Sequence, residues 1–380
     1  MRIGVPLETR AGETRVAATP ETVKKLISQG HQVLIQAGAG VGASQPDSAY
    51  EAVGASIGSA ADALGSEIIL KVRSPEAAEL KQMKSGAVLL GMLDPFDNAG
   101  IQAMAGQGIT AFALEAAPRT TRAQSMDVLS SQANIAGYKA VMVATNEYQR
   151  FMPMLMTAAG TVTPAQVLVL GAGVAGLQAI ATARRLGAVV SAYDVRPSSA
   201  DEVKSMGATF IDLELEALEG AGGYAREMTE ERAAKQRELL TPYIAKSHLV
   251  ITTAAVPGRA APRLMTAAMI DAMEAGTIIV DLAAETGGNA EGSKPGEIVT
   301  TAKGVQIWGG KDVPSQLPFH ASSLYSRNVV NLLTLMTTAA KDGEKVALNI
   351  DFTDEIIDKA ALTHAGAKHT PGASEKGGSN

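Results

Sequence analysis

The chain has 380 residues, long enough for two domains of ordinary size, and its 46% apolar content can fill a core in each. A formal net charge of −6 and a pI near 5.5, with no lysine or arginine cluster, argue against a nucleic-acid surface. The absence of cysteine excludes disulfides, thiolate catalysis and cysteine-ligated metal, and no metal site is expected; no uninterrupted apolar run reaches the roughly 18 residues that cross a bilayer.

Met1-Arg-Ile-Gly-Val-Pro reads as a first strand and lacks the apolar centre of a signal peptide. Strands are predicted at Arg2–Val5, Gln32–Ile35, Glu67–Val72, Ala87–Leu90 and Ile109–Leu114. Helical stretches alternate with them at Glu21–Gln29, Ala60–Leu64, Pro75–Met83 and Ile101–Gln107, the first opened by Thr19-Pro20. Such alternation specifies a mostly parallel sheet with helices on its faces. A longer helical pattern runs from Ser125 to Ala144, with Ser125 or Asp127 as its cap, and suits a connector between domains.

From Val167 the alternation resumes, with strands at Val167–Leu170, Val189–Tyr193, Thr209–Ile211, Leu249–Thr252, Ile278–Asp281 and Val305–Trp308. Two short helical stretches follow, the helix Ser322–Ala340 is expected to return to the first domain, and the Gly/Ser/Lys-rich residues from Gly366 read as a flexible tail. The expected fold is α/β: two Rossmann-like, doubly wound parallel-sheet domains joined by long helices, with a cofactor in the cleft. The expected domains are 1–136 plus 318–365, 137–317, and a tail at 366–380.

The strongest chemical signal is Val167-Leu-Val-Leu-Gly171-Ala-Gly173-Val174-Ala-Gly176, a strand meeting a Gly-x-Gly-x-x-Gly turn that opens into a helix. Gly171 allows the tight turn, Gly173 lets backbone approach a pyrophosphate, and Gly176 lets helix and strand pack closely. The helix-start amides then face the phosphates. Asp194 ends the following strand, where a carboxylate accepts hydrogen bonds from the adenosine ribose and repels a 2′-phosphate; this predicts NAD(H) over NADP(H), with Arg196 the residue that could favour phosphate.

Arg119-Thr-Thr-Arg122-Ala-Gln124-Ser-Met-Asp127-Val-Leu-Ser130 is dense in hydrogen-bonding side chains. Asp127 and Ser130 lie one helical turn apart, Arg119 can pair with Asp127, and Gln124 offers donor and acceptor. Spacing alone leaves two readings open, a binding site or an elaborate helix cap. The five histidines, His31, His248, His320, His364 and His369, leave none in Ala87–Leu114, where an acid–base group facing a cleft would be expected. Hydride exchange between two nicotinamides moves no proton in the chemical step and needs only positioning groups. Gly220, Gly222 and Gly223 before Tyr224 read either as a hinged lid or as a plain surface loop. Met152, Met154 and Met156 read as core filler.

The run Arg119 to Ser131, Gly160-Thr-Val, the Gly171–Gly176 turn, Gly222-Gly-Tyr224-Ala, Ile251-Thr-Thr-Ala-x-x-Pro257-Gly and Val280-Asp-Leu-Ala together resemble the alanine dehydrogenase/transhydrogenase family. Within it, the Arg-Ala-Gln-Ser-x-Asp run is similar to the proton-translocating NAD(P) transhydrogenase branch. The resemblance implies that Arg119, Gln124, Asp127 and Ser130 hold the dihydronicotinamide, with Arg122 also at the cofactor. It implies that Val174, Asp194, Val195 and Arg196 line the adenosine half, with Gly223, Gln236 and Ala255 nearby and Tyr224, followed by Met228, on a mobile loop. It further implies a homodimer, itself not inserted in the membrane, docked on membrane-embedded subunits that present NADP(H), at the cytoplasmic face of the inner membrane. Fused members continue into membrane helices, so a chain ending at Asn380 is expected to be a separate soluble subunit or one cut at that boundary.

Alanine dehydrogenases hold the substrate carboxylate with an arginine and a lysine in segments matching Gly12-Glu-Thr-Arg15-Val and Lys71-Val, and both survive here. Their catalytic histidine would fall in Leu89-Leu-Gly-Met-Leu-Asp94-Pro-Phe96, which has none. Arg15 and Lys71 are therefore expected to be structural. A self-contained alanine-dehydrogenase-like enzyme and a non-catalytic NAD(H)-sensing module are the competing readings.

Overall fold

The computed structural model describes residues 1–215, 228–338 and 346–372. Its strands, in chain order, are β1 (Arg2–Val5), β2 (Gln32–Gln36), β3 (Ser56–Gly58), β4 (Ile68–Arg73), β5 (Val88–Met92), β6 (Thr110–Ala113), β7 (Leu155–Thr157), β8 (Gly160–Val162), β9 (Gln166–Leu170) and β10 (Val189–Tyr193). There follow β11 (Thr209–Phe210), β12 (Leu249–Thr252), β13 (Ile278–Asp281), β14 (Ile298–Thr300), β15 (Gln306–Gly309), β16 (Thr337–Thr338), β17 (Ala347–Leu348), β18 (Ala361–His364) and β19 (Ala367–Lys368). The chain divides into two compact units, Met1–Gln132 with Pro314–Asn380, and Ala133–Val313. Both are Rossmann-like, with mostly parallel sheets in α/β order.

In the first unit the sheet runs β19-β18-β6-β5-β4-β1-β2-β3. From β6 to β3 every neighbour is parallel, and the order reverses between β1 and β4. A parallel sheet has both faces covered, so its strands are apolar throughout. Along β4, Ile68, Leu70 and Val72 enter one core cluster and Ile69 the other, as the two-residue period of a strand requires. Pro318–Leu335 returns here as an 18-residue helix that buries Tyr325, Val329 and Leu332 in the first cluster.

The second unit repeats the arrangement as β11-β10-β9-β12-β13-β15-β14, parallel except for the edge pair β14–β15. Val167 and Val169 of β9 pack on Ala179, Ile180 and Ala183 of the helix Val174–Arg185, while Leu168 and Leu170 face Leu240 and Ile244 of Glu230–Ala245. The long helix begins at Val128, preceded by a 3-10 segment over Thr121–Met126, and runs to Tyr148, carrying the chain from one unit to the other.

Three details differ from the sequence reading. Residues 155–162 form the β7–β8 hairpin, which no expected element covers, and Met154 and Met156 are exposed, so only Met152 is core filler. Gly366 sits in the turn between β18 and β19; β18 pairs antiparallel with β6, extending the sheet through residues read from composition as a tail. Short edge elements such as β3 and β14 are too brief to register as a periodic pattern.

Candidate functional site

In the second unit the sheet order reverses between β9 and β12, the place where open α/β sheets bind dinucleotides. The three glycines of the turn after β9 differ in what a side chain would meet. Gly171 has φ +100, in the left-handed region, and a Cβ there would meet the Thr253 side chain at 2.6 Å. Gly176 faces the Gly171 carbonyl so closely that a Cβ would sit 1.9 Å from its oxygen. Gly173 caps the helix Val174–Arg185, and a Cβ added to it would meet nothing within 4 Å. A side chain at Gly173 would thus project into open space at a helix N-terminus, where a phosphate gains from free amides and the helix dipole.

Asp194 closes this cradle. Its carboxylate accepts the Ala172 N–H at 2.7 Å, inside the glycine turn, and the Arg196 N–H at 2.9 Å. The Arg196 guanidinium donates to both carboxylate oxygens at 2.8 Å. Val174 is exposed on the first helical turn, and Val195 is half-buried against the core. Gln236, expected beside the cofactor, is carried into the interior at 1% exposure, where its Oε1 accepts from the Tyr193 hydroxyl at 2.9 Å and from Arg232. Ala255 is exposed in the loop after β12. Gly223 and Tyr224 lie outside the described residues.

The Arg119–Ser130 set belongs to the first unit. Arg119, Gln124 and Asp127 line one open hollow of about 140 Å³, with Pro118, Thr120 and Ala123. Asp127 also caps the long helix: its carboxylate accepts the Ser130 N–H at 2.9 Å and the Ser130 hydroxyl at 2.6 Å. The two readings of the segment are therefore compatible, since the Asp127 that caps the helix also lines the hollow, with Ser130 holding its carboxylate. Arg122 faces elsewhere, in an ion pair with Asp354, which caps Glu355–Ala360.

Glu115 lies beside this hollow and was not apparent from sequence. Burial pushes its carboxyl up to about 7, against backbone hydrogen bonds that favour the charged form, with nearby Asp94 adding to the rise. One oxygen accepts the Asp94 N–H at 2.8 Å, and the other is buried without a hydrogen-bond donor among the described residues.

At the first unit's own reversal point, between β1 and β4, side chains of the protein fill the crevice. Lys71 pairs with Glu8 at 3.2 Å and Glu79 at 2.7 Å, all three nearly inaccessible. Arg15, 2% exposed, holds Glu13 through two nitrogens and Gln132 through a third. Burial alone would raise Glu13, but Arg15, Ser315 and Arg73 bring its carboxyl down to about 2. Arg15 and Lys71 are thus engaged by internal carboxylates.

Family models for alanine dehydrogenase/PNT match nearly the whole chain, the N-terminal domain over residues 4–136 and the C-terminal domain over 140–371. The chain belongs to the alanine dehydrogenase/PNT family. Within that family, it is 46% identical to an NAD(P) transhydrogenase alpha-subunit protein of Rhodospirillum rubrum, over 99% of this chain and all of that protein. It is 33% identical to the alanine dehydrogenase of Mycobacterium tuberculosis over 78% of this chain and 76% of that one. A solved transhydrogenase from Sinorhizobium meliloti superposes with a TM-score of 0.86 at 49% identity, covering 97% of this chain and all of that one. A solved L-alanine dehydrogenase does so with a TM-score of 0.78 at 26% identity, covering 99% of this chain and 98% of that one. Among the described residues, no helix is long and apolar enough to cross a membrane.

Proposed function

We propose that this chain is the NAD(H)-binding subunit of a proton-translocating NAD(P) transhydrogenase, passing hydride from NADH to NADP⁺ held by a partner subunit. The observation that carries the reading is the histidine-free segment Leu89–Phe96 in a chain that otherwise keeps an open dinucleotide cradle. Oxidation of an amine requires a group to take a proton, whereas hydride exchange requires only alignment. Near full-length likeness to transhydrogenase alpha proteins supports the same choice.

Hydride is supplied and accepted by the two nicotinamides. This chain's residues bind and orient. The Gly171–Gly176 turn receives the pyrophosphate, and Asp194 takes the adenosine ribose and disfavours a 2′-phosphate. Arg119, Gln124, Asp127 and Ser130 hold the carboxamide and ring, with Val174, Val195, Arg196, Gly223, Tyr224 and Ala255 around the cofactor, while Gln236 supports Tyr193 from the interior and Arg122 holds Asp354. The protein works as a homodimer, peripheral to the membrane through partner subunits at the cytoplasmic face, and is nearly inactive alone.

The test is an assay with and without membranes carrying the partner subunits. NADH-dependent reduction of an NADP⁺ analogue is expected only when both are present. Steady NADH formation from L-alanine by the isolated chain would establish the dehydrogenase reading instead.

A further inference from the structure

Asn289 is a fully buried polar side chain in the second unit, and its side-chain hydrogen bonds reach one loop. Its Oδ1 accepts the Ala254 N–H at 3.1 Å, and its Nδ2 donates to the Ala254 and Pro262 carbonyls, each at 2.8 Å. One amide therefore ties both ends of the loop that follows β12. The near end of that loop abuts the glycine turn: the Thr253 hydroxyl donates to the Gly171 carbonyl at 2.9 Å, and the Thr253 N–H donates to the Leu170 carbonyl.

The segment that presents Asn289 is pinned at Ala290 by a buried carboxylate. Asp281, at the end of β13 and also 0% exposed, accepts from the Thr252 hydroxyl at 3.0 Å and from the backbone of Ala283 and Ala290. Gly287 and Gly288, with φ of +103 and +77, curl the chain over it; a Cβ at Gly288 would lie 2.8 Å from the carboxylate. The curl delivers Asn289 under the loop. Its own carbonyl then accepts the Leu264 and Met265 N–H groups, extending the seam beyond Pro262.

The loop's position gives the clamp a function. A dinucleotide straddles the reversal of strand order, one mononucleotide on each side. β10, with Asp194, lies on one side of β9, and β12 lies on the other. If the adenosine half sits at Asp194, the loop after β12 meets the nicotinamide half. We propose that Asn289 is a positioning residue, fixing the Thr253–Pro262 loop against the glycine turn and so setting the nicotinamide half of bound NAD(H). This inference rests on the NAD(H) reading above.

Titration of wild type, Asn289→Asp and Asn289→Ala with NADH and with AMP tests it. Asn289→Asp is isosteric and keeps the acceptor for Ala254 while losing both donations, so it carries the test if the alanine variant does not fold. Losing two hydrogen bonds in Asn289→Asp and all three in Asn289→Ala should weaken NADH binding about tenfold or more, with AMP binding changed by less than about twofold. NADH binding by Asn289→Asp equal to wild type would overturn the inference. Equal weakening of NADH and AMP would overturn it too, because it would mark a general loss of fold. Wild type that binds AMP but not NADH would instead overturn the NAD(H) reading on which the inference stands.

Discussion

The Asp194 carboxylate accepts the Ala172 N–H at 2.7 Å, so the acid at the end of β10 and the glycine turn after β9 form one rigid unit. Arg196 neutralises the same carboxylate from the other side. Asp194→Ala should weaken NADH binding by about tenfold or more, since it removes a ribose acceptor and frees the turn. It should also raise the relative affinity for NADPH, because Arg196 is released to meet a 2′-phosphate. Titration of both nucleotides against the variant measures this, and an unchanged NADH to NADPH ratio would count against Asp194 as the selector.

Gly173 and Gly176 should separate binding from folding. Gly173→Ala adds a methyl in open space, so thermal stability should hold while NADH affinity falls about tenfold, the methyl occupying the phosphate's place. Gly176→Ala forces a Cβ to within 1.9 Å of a carbonyl oxygen and should cost about 3 kcal/mol or more, as overpacking and strain do. Thermal melts with and without NADH distinguish them; equal destabilisation by both would contradict the geometry.

Glu115 should make the protein less stable as pH rises. Its folded value is raised to about 7 from an ordinary 4.5, so its contribution is complete below about 4.5. That contribution is lost as the unfolded form ionises first and is gone once the pH passes about 7. Between about pH 5 and 8, Glu115→Gln should lose less stability than wild type, by on the order of 2 kcal/mol. Urea denaturation at both pH values reads the difference, and parallel curves for the two proteins would refute it.

Arg15 should matter for the fold and not for any small substrate. Arg15→Ala leaves Glu13 buried with less compensation and should destabilise by about 3–5 kcal/mol. L-Alanine or pyruvate should neither bind nor stabilise the wild type, because the Arg15 and Lys71 charges are met internally. A melting shift on adding pyruvate would show an open anion site.

What was legible in the sequence followed the strength of the periodic pattern. β9, β10, β12 and β13 have cores of three or four apolar residues that end at Gly, Asp or Thr, and their boundaries fall within one residue of those expected. The demands at Gly171 and Gly176 were legible because a left-handed turn and a close backbone approach are met only by glycine. Pairings between distant segments were not: β18 with β6, Arg122 with Asp354, and Gln236 turned inward to Tyr193 depend on tertiary neighbours that no local pattern encodes. Asn289 carried one faint signal, an amide after two glycines beyond a strand. Glu115 carried none, since the Asp94 N–H that meets it comes from 21 residues earlier in the chain.

The strand pair β6–β18 has a consequence for synthesis. The Ala111 N–H is satisfied by Thr363, 252 residues later, and Ala361 lies opposite Phe112. At about 5–20 residues per second, a ribosome needs roughly 12–50 s to bridge that interval. During that time β6 is an exposed sheet edge, a site prone to wrong pairing. The second unit, contained within residues 133–313, is complete before β18 is made. The nucleotide cradle can therefore form on a nascent chain whose first domain still waits for its last strands.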